Sequence, residues 1–323
     1  MPVGGSITNF PLGFVNGISL RGMPLLQMQP GNVFWVNAST VLNVGAVGGS
    51  DSNRGTYKRP FATLAGAIAQ CVSGRGDIIF VGAGHTETIS DATTTAMTKI
   101  GVAVVGLGSG NLRPTFTLDT GNTTTIPVSA AGCSFQNCIF IANFLTIAAC
   151  FTLALAKDFA VQQCEFRDTG AALNFANVVK STGAANTADG LTFTDNFYPS
   201  IGTTYNTGAL VADAVDRMNL SRNNIFTIST QDVAILAVST TGAVTNLMAA
   251  DNNCTSKATT HTSSLLILGT GSAGTGMILR NFCGSLDASA GVLFIVTIGW
   301  RSQGNSISGA LAGQGFPIPA LDT

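Results

Sequence analysis

The sequence predicts an all-β protein, a parallel β-helix in which each coil takes about 24–32 residues. Two observations support this fold class. Short β-prone runs alternate with turns rich in Gly, Asn, Asp, Ser and Thr along most of the chain. An Asn-rich turn also recurs at a period near 28 residues, which is typical of a solenoid and too short for a propeller blade. An antiparallel β-sandwich with unrelated Asn turns is the alternative.

The chain has few charged residues for its size. Of 323 residues, 10% are charged and 46% are hydrophobic, and the formal net charge is −1. An average soluble domain carries about 25% charged residues. The composition therefore predicts a surface of Thr, Ser, Asn and Gly, or a surface that is covered in an assembly. It excludes a disordered chain and argues against a general nucleic-acid-binding protein, which would need an excess of Lys and Arg.

Residues 1–45 are predicted to form an N-terminal arm. Large apolar side chains stand among Gly and Pro there, and so short a segment cannot build a core of its own. We expect it either to attach the protein to a partner or to cap its own chain. The first thirty residues lack the pattern of a secretory signal peptide, so we expect synthesis in a cytoplasm. The residues predicted to serve assembly or attachment are Phe10, Phe14, Leu25, Leu26, Phe34 and Trp35.

Residues 46–75 are predicted to cap the solenoid with one short helix. After Pro60, a helix of about ten residues would place Leu64, Ala67, Ile68 and Cys71 on one side. Proline is well suited to the start of a helix. The same segment contains one basic cluster, interpreted as a solvated loop or as a contact for an acidic partner: Arg54, Lys58 and Arg59.

Residues 76–310 are predicted to form the β-helix, and residues 311–323 a C-terminal tail. The run 77–81, apolar after Asp77, and the apolar run 102–105 are typical of its first strands. The charge-free stretch 139–156 is predicted to be a pair of buried strands and not a membrane span, because Asn and Thr interrupt it and basic flanks are missing.

The aligned turns from Cys138 to Asn305 are separated by 26, 32, 28, 29, 28 and 24 residues. Asn suits a sharp corner between strands because it tolerates a left-handed backbone and its amide can pair with the same residue one coil away. The predicted structural Asn column consists of Asn196, Asn224, Asn253, Asn281 and Asn305.

The N-terminal motifs carry a family resemblance. Gly48-Gly-Ser-Asp51-Ser-Asn-Arg-Gly55 is followed by Arg59-Pro-Phe-Ala-Thr-Leu64, by Gly76-Asp77-Ile-Ile-Phe-Val81 and by Gly84-His-Thr-Glu87. This series resembles the opening of pectate-lyase-like right-handed β-helix proteins. Residues 101–116 are similar to strands of β-helix proteins encoded by tailed bacteriophages. The resemblance implies a right-handed coil with an N-terminal capping helix, a virion setting and, as in similar phage β-helices, a homotrimer.

Members of that family are often polysaccharide lyases or hydrolases, so the test is whether carboxylates stack on one face. A lyase needs a basic residue to take a proton and usually Asp-bound Ca²⁺ to acidify it, and a glycosidase needs two carboxylates about 5–10 Å apart. The chain has only 16 acidic residues, and no two neighbouring coils place them in the same register. The weak catalytic candidates, with Arg167 nearby, are Glu165, Asp168 and Asp195. The alternative is that they are solvated turn residues, so the sequence predicts no catalytic residue, no metal site and no cofactor. His85 and His261 are interpreted as turn or core-edge residues, and all seven cysteines as buried, unpaired side chains.

Together these features favour a structural component of a phage particle, a capsid decoration or cement protein that binds the shell through its N-terminal segment. The expected partners are other copies of the chain in a homotrimer and the major capsid protein or other virion proteins. Neither nucleic acid nor a membrane is expected to bind. The expected location is the virion, after synthesis in the host cytoplasm. The alternative function is a tailspike or receptor-binding β-helix that binds or cleaves a host surface polysaccharide.

Overall fold

The computed structural model of the protein describes residues 19–20, 23–24, 31–38, 46–181, 187–203, 209–228, 234–239, 243–257, 264–268, 274–285, 300–308 and 315–318. Within these residues, helical structure consists of α1 (Leu64–Gln70) and a 3₁₀ turn (Gly110–Leu112). The strands, in chain order, are β1 (Ser19–Leu20), β2 (Met23–Pro24), β3 (Val33–Val36), β4 (Ile78–Val81), β5 (Thr86–Ile89), β6 (Ala103–Gly106), β7 (Thr115–Leu118), β8 (Ile126–Val128), β9 (Ser134–Gln136), β10 (Ile139–Ala142), β11 (Phe151–Leu153), β12 (Ala160–Gln162), β13 (Glu165–Asp168), β14 (Val179–Ser181), β15 (Thr192–Thr194), β16 (Phe197–Pro199), β17 (Leu210–Val211), β18 (Asn219–Ser221), β19 (Asn224–Thr227), β20 (Ala234–Ser239), β21 (Leu247–Ala250), β22 (Asn253–Ser256), β23 (Ser264–Leu268), β24 (Gly276–Leu279), β25 (Phe282–Ser285), β26 (Trp300–Gln303), β27 (Asn305–Ser308) and β28 (Gly315–Ile318).

These strands form three long sheets that run along one solenoid. Sheet A has the order β3-β4-β6-β9-β12-β15-β18-β21-β24-β26, and sheet C the order β8-β11-β14-β17-β20-β23. Sheet B has the order β5-β7-β10-β13-β16-β19-β22-β25-β27-β28, and its pairs are parallel except for the last. From β6 to β23, each coil contributes one strand to sheet A, then one to sheet B and one to sheet C. The predicted all-β parallel β-helix is therefore confirmed.

The core is a column of aromatic rings inside the coils. Phe116, Phe140 and Phe166 occupy the same register on three adjacent strands of sheet B, and all three are buried. Their ring centroids are 5.6 and 5.4 Å apart, and Phe193 continues the stack at 6.0 Å. Parallel pairing in register places the inward side chain of each coil directly above that of the coil before it, so these phenylalanine rings stack.

The predicted capping helix is present. Thr63 is its N-cap, and the Thr63 Oγ1 atom accepts a hydrogen bond from the N–H of Gly66 at 3.0 Å. The Asp51 carboxylate accepts from the backbone N–H groups of Ala62 and Thr63 at 3.0 Å each. The predicted apolar side faces the core, with Leu64, Ala67, Ile68 and Cys71 all buried.

The solenoid includes strands that lie within the predicted arm, residues 1–45, and the predicted tail, residues 311–323. β3 lies at 33–36, inside the predicted arm, and pairs with β4 along its whole length. β28 lies inside the predicted tail and pairs antiparallel with β27. β3 thus provides hydrogen-bond partners for β4, and β28 provides them for β27. Pro317 in β28 has no backbone N–H that could pair with a further strand.

The charge-free stretch 139–156 holds β10 and β11, which are mostly buried, as predicted. No α-helix within the described ranges is long and apolar enough to cross a membrane. All seven cysteines are buried and unpaired.

Candidate functional site

The corner between sheets A and B repeats one two-residue turn in successive coils. The first residue of each turn has a φ between 50° and 66°, in the left-handed region, and the second is buried in the coil. The first residues are Asn137, Gln163, Asp195, Arg222, Asp251, Arg280 and Gly304. The second residues, here called the corner column, are Cys138, Cys164, Asn196, Asn223, Asn252, Asn281 and Asn305. The left-handed conformation predicted for the Asn column thus falls on an earlier residue, two positions before Asn224 and Asn253 and one position before the other three members.

The five Asn residues of the corner column form a continuous amide ladder. The Oδ1 atom of Asn223 accepts from the N–H and the Nδ2 of Asn196 at 3.1 and 3.2 Å. Asn252, Asn281 and Asn305 repeat this arrangement at the next three coils, with distances of 2.8–3.0 Å. Each Nδ2 also donates to a strand carbonyl of the preceding coil at 2.8–2.9 Å. Both amide protons and the amide oxygen of these buried side chains are therefore satisfied.

Two members of the predicted column lie outside this ladder. Asn224 and Asn253 are the first residues of β19 and β22, and their neighbours Asn223 and Asn252 occupy the ladder in their place. Successive strand residues face opposite sides of a sheet, so a shift of one residue turns the side chain from the core to the outer face. The Oδ1 atoms of Asn224 and Asn253 are buried without a hydrogen-bond partner among the described residues.

The first residues of the turns carry an ion-pair pattern on the outer surface. Arg222 binds Asp195 through Nε and Nη2 at 2.6 and 2.7 Å, and Arg280 binds Asp251 in the same way at 2.7 and 2.8 Å. The hydrogen bond from Arg222 lowers the pKa of Asp195. The candidate Asp195 is therefore a paired corner residue.

Glu165 is held by two guanidinium groups. Arg113, from the corner that follows β6, binds one carboxylate oxygen, and Arg167 Nε binds the other at 2.6 Å. Arg167 also donates to Asn111 Oδ1 at 2.8 Å, so Glu165 ties that long corner to β13. Partial burial acts to raise the pKa of Glu165, but the two arginines outweigh it and lower the pKa.

Asp168 accepts five hydrogen bonds. Tyr198 Oη and Phe175 N donate to Oδ1 at 3.0 and 3.3 Å. Ser200 Oγ and the N–H groups of Ile201 and Gly202 donate to Oδ2 at 2.8, 3.0 and 3.2 Å. Burial raises the pKa of Asp168, and these hydrogen bonds oppose that rise. The carboxylate organises the chain after β13 and β16.

His85 connects the capping helix to the first coil. Its Nδ1 accepts from the N–H of Ala38 at 2.9 Å, so the proton of the neutral ring lies on Nε2, which donates to Glu87 Oε2 at 3.1 Å. The same Glu87 oxygen accepts from the N–H of Leu64, the first residue of α1, at 2.8 Å. Sequence reasoning missed Glu87, although the Gly84-His-Thr-Glu87 motif placed both side chains on the same strand face. The other histidine, His261, lies outside the described residues.

The predicted attachment residues divide between core and surface. Phe34 packs against the core, with its ring 6.0 Å from that of Phe61, because β3 belongs to the solenoid. Trp35 faces the other side and contacts Tyr57 and Phe80. Four of the predicted residues lie outside the described ranges: Phe10, Phe14, Leu25 and Leu26.

The fold and the amide ladder define a parallel β-helix protein. No family model matches the chain, and no curated protein matches its sequence. Among solved structures, a rhamnogalacturonan lyase aligns with a TM-score of 0.42 and 13% identity over 85% of this chain and 87% of that chain. The ORF18 protein of Geobacillus virus E2 aligns with a TM-score of 0.34 and 14% identity over 76% of this chain and 57% of that chain. Across the described part of this chain, no cluster of three or more His, Cys, Asp or Glu side chains could hold a metal ion.

Proposed function

We propose that this protein is a non-enzymatic structural subunit of a tailed-phage particle, a capsid decoration protein that binds the shell through its N-terminal segment and assembles as a homotrimer. The observation that carries the proposal is that all three candidate carboxylates are bound by other groups of the solenoid. Glu165 is bound by two arginines, Asp195 by one, and Asp168 by five hydrogen-bond donors. Each has a structural role within the solenoid.

A glycosidase needs two carboxylates about 5–10 Å apart, one of which donates a proton while the other acts as a base or nucleophile. A carboxylate bound to guanidinium groups is a poor proton donor because its pKa is lowered. Glu165 and Asp195 therefore suit the stabilisation of the coil stack. The low charge content also suits a subunit whose surface is covered by neighbours, since permanent interfaces are depleted of charge.

The proposal is tested by electron cryo-microscopy of the purified particle. Density for the β-helix on the icosahedral shell is expected, whereas density at the tail vertex would contradict the decoration role. The same protein is expected to release neither reducing nor unsaturated sugar from host polysaccharide. Cleavage that is lost in Asp195→Ala would overturn the non-enzymatic assignment.

One feature favours a second candidate, a tailspike-type β-helix that binds a host polysaccharide. Phe197 and Phe226 project from the outer face of sheet B and contact each other edge to face at 6.1 Å. Phe282 lies on the same face three strands beyond Phe197. Aromatic rings are suited to packing against sugar rings, and binding of host polysaccharide that is lost in Phe197→Ala would support this candidate.

A further inference from the structure

A basic hairpin is fixed beside the first strand of sheet A. Thr56 and Arg59 pair across the hairpin, with N···O distances of 3.1 and 3.0 Å. Trp35 lies between its two ends, because the Trp35 N–H donates to Gly55 O and the Trp35 carbonyl accepts from Phe61 N, both at 2.8 Å. The hairpin is thus attached by hydrogen bonds to β3, at the N-terminal end of the solenoid.

Aromatic rings stand on the outer face at this point. The Tyr57 ring contacts Trp35 edge to face at 4.9 Å, and Trp35 contacts Phe80 at 5.2 Å. Tyr57 is 37% exposed and Trp35 is half-buried. The pairing of β3 with β4 holds Trp35 and Phe80 in register, so the aromatic surface is preformed.

The cations of this hairpin differ from most others in the chain. Arg54, Lys58 and Arg59 are exposed, and none forms an ion pair with a described residue. The arginines that do have a carboxylate partner are Arg75, Arg113, Arg167, Arg217, Arg222 and Arg280. Three positive charges within six residues are therefore left without a described counter-charge.

The acidic residues nearest in sequence make their hydrogen bonds and ion pairs with groups other than the hairpin cations. Asp51 binds the N-terminus of α1, and Asp77 binds Arg75. Glu87 binds His85, and Asp91 accepts from Thr93 and Thr94. Residues 1–50 contain no Asp or Glu, so the N-terminal segment brings no carboxylate to the hairpin.

The acidic residues outside the described ranges come much later in the chain. Asp232, Asp287 and Asp322 all follow β18, which is six strands beyond β3 in sheet A. The three hairpin cations therefore have no ion-pair partner among the described residues, and their exposed charges are complementary to an acidic partner.

We infer that Arg54, Lys58 and Arg59, together with Trp35 and Tyr57, form a docking surface for an acidic protein partner. Arg, Trp and Tyr are the side chains that contribute most to protein–protein binding energy, and Arg binds carboxylates through two parallel hydrogen bonds. The net charge of −1 argues against a general polyanion-binding protein. Only the identity of the partner rests on the proposed decoration role, in which it is a carboxylate-bearing face of the capsid shell.

The test compares two triple variants with the wild-type protein. R54Q/K58Q/R59Q removes the hairpin charges, and K180Q/K257Q/R301Q removes three exposed cations elsewhere that have no ion pair with a described residue. On particles that lack the protein, we expect the hairpin variant to bind at least about tenfold more weakly, and the control variant to bind within about twofold of wild type. Equal losses in both variants, or no loss in the hairpin variant, would overturn the inference.

Binding to poly-L-glutamate separates this inference from the proposed function. The protein contains two tryptophans, so Trp300→Phe leaves Trp35 as the only indole reporter. We expect poly-L-glutamate to shift the Trp35 emission, with a response that weakens as salt rises and is lost in the hairpin variant. If this shift occurs but no particle binds, the decoration role fails and the docking surface stands. Absence of the shift, or stronger binding to anionic vesicles or DNA than to poly-L-glutamate, would refute the acidic-protein partner. Thermal unfolding of each variant checks that it is folded.

Discussion

The Oδ1 atom of Asn252 accepts hydrogen bonds from both the backbone N–H and the Nδ2 of Asn223, at 2.9 and 3.0 Å. The two residues are 29 positions apart and occupy the same corner of adjacent coils. One side chain therefore satisfies two buried donors of the preceding coil. At this corner the ladder adds side-chain hydrogen bonds to the backbone bond between the same two coils, from Asn253 N to Asn223 O at 2.8 Å.

Asn252→Ala is expected to destabilise the fold, and the neighbouring Asn253→Ala is its matched control. Loss of the Asn252 amide leaves two buried Asn223 donors without an acceptor, at a cost of roughly 3 kcal/mol. Asn253 has an unpartnered Oδ1, so its truncation is expected to change stability by no more than about 0.5 kcal/mol. Thermal unfolding followed by circular dichroism compares the two. Equal melting temperatures for the two variants would contradict the ladder.

The sequence predicts the ladder chemistry but not its register. The doublets at 223–224 and 252–253 are both Asn-Asn, so residue type cannot tell which member faces inward. That choice depends on where the left-handed turn residue falls, and here Arg222 and Asp251 adopt this conformation. By contrast, the apolar spacing after Pro60 is a local signal, and it predicts α1 and its buried side correctly.

Contacts between distant coils have no local signal at all. Arg113 and Glu165 are 52 residues apart, and their pairing depends on the corner insertion between β6 and β7. The ion-pair partners of the candidate carboxylates therefore cannot be predicted from the sequence, because they depend on how the coils stack. The pairing of β28 with β27 is similarly set by the exposed last strand and not by a repeat in the sequence.

Phe140→Ala is expected to break the aromatic column. The Phe140 ring lies 5.6 Å from Phe116, 5.4 Å from Phe166 and 5.0 Å from Phe151. Truncation of a buried phenylalanine costs about 3–5 kcal/mol because it removes apolar burial and leaves a cavity. Leu155, which is 65% exposed, provides the control. Soluble yield and melting temperature should fall for Phe140→Ala alone, and a similar fall for Leu155→Ala would argue against the column as the main source of stability.

The thiols are expected to be unreactive in the folded protein. Burial raises the pKa of Cys283 to about 12, and burial together with the nearby Asp77 raises the pKa of Cys71 to about 12. Thiolate is the reactive form, so both exclusion of reagent and a high pKa suppress modification. Titration with Ellman's reagent should detect no thiol under native conditions and all seven in denaturant. Rapid native labelling of any cysteine would show that its coil opens.

The stability of the N-terminal end is expected to fall in acid because of Asp77. This buried carboxylate accepts from Asn32 N and Val72 N at 2.7 Å each and from Arg75 Nε at 2.6 Å. Burial acts to raise the pKa of Asp77, but the hydrogen bonds from Arg75 and the two N–H groups outweigh it and lower the pKa below its ordinary value. A lowered pKa in the folded state means that the unfolded chain binds the proton first as pH falls.

The stabilisation by Asp77 is therefore fully present above the unfolded pKa of about 3.9 and is lost as pH falls through the lower, folded pKa. Asp77→Asn keeps the size of the side chain but removes its charge and one acceptor. We expect the melting temperature of Asp77→Asn to lie below that of wild type at neutral pH, and the difference to shrink as the pH is lowered past about 4. Melting curves recorded from neutral pH to about pH 2.5 measure this convergence. A difference that stays constant over the whole range would mean that Asp77 acts through packing alone and not through its charge.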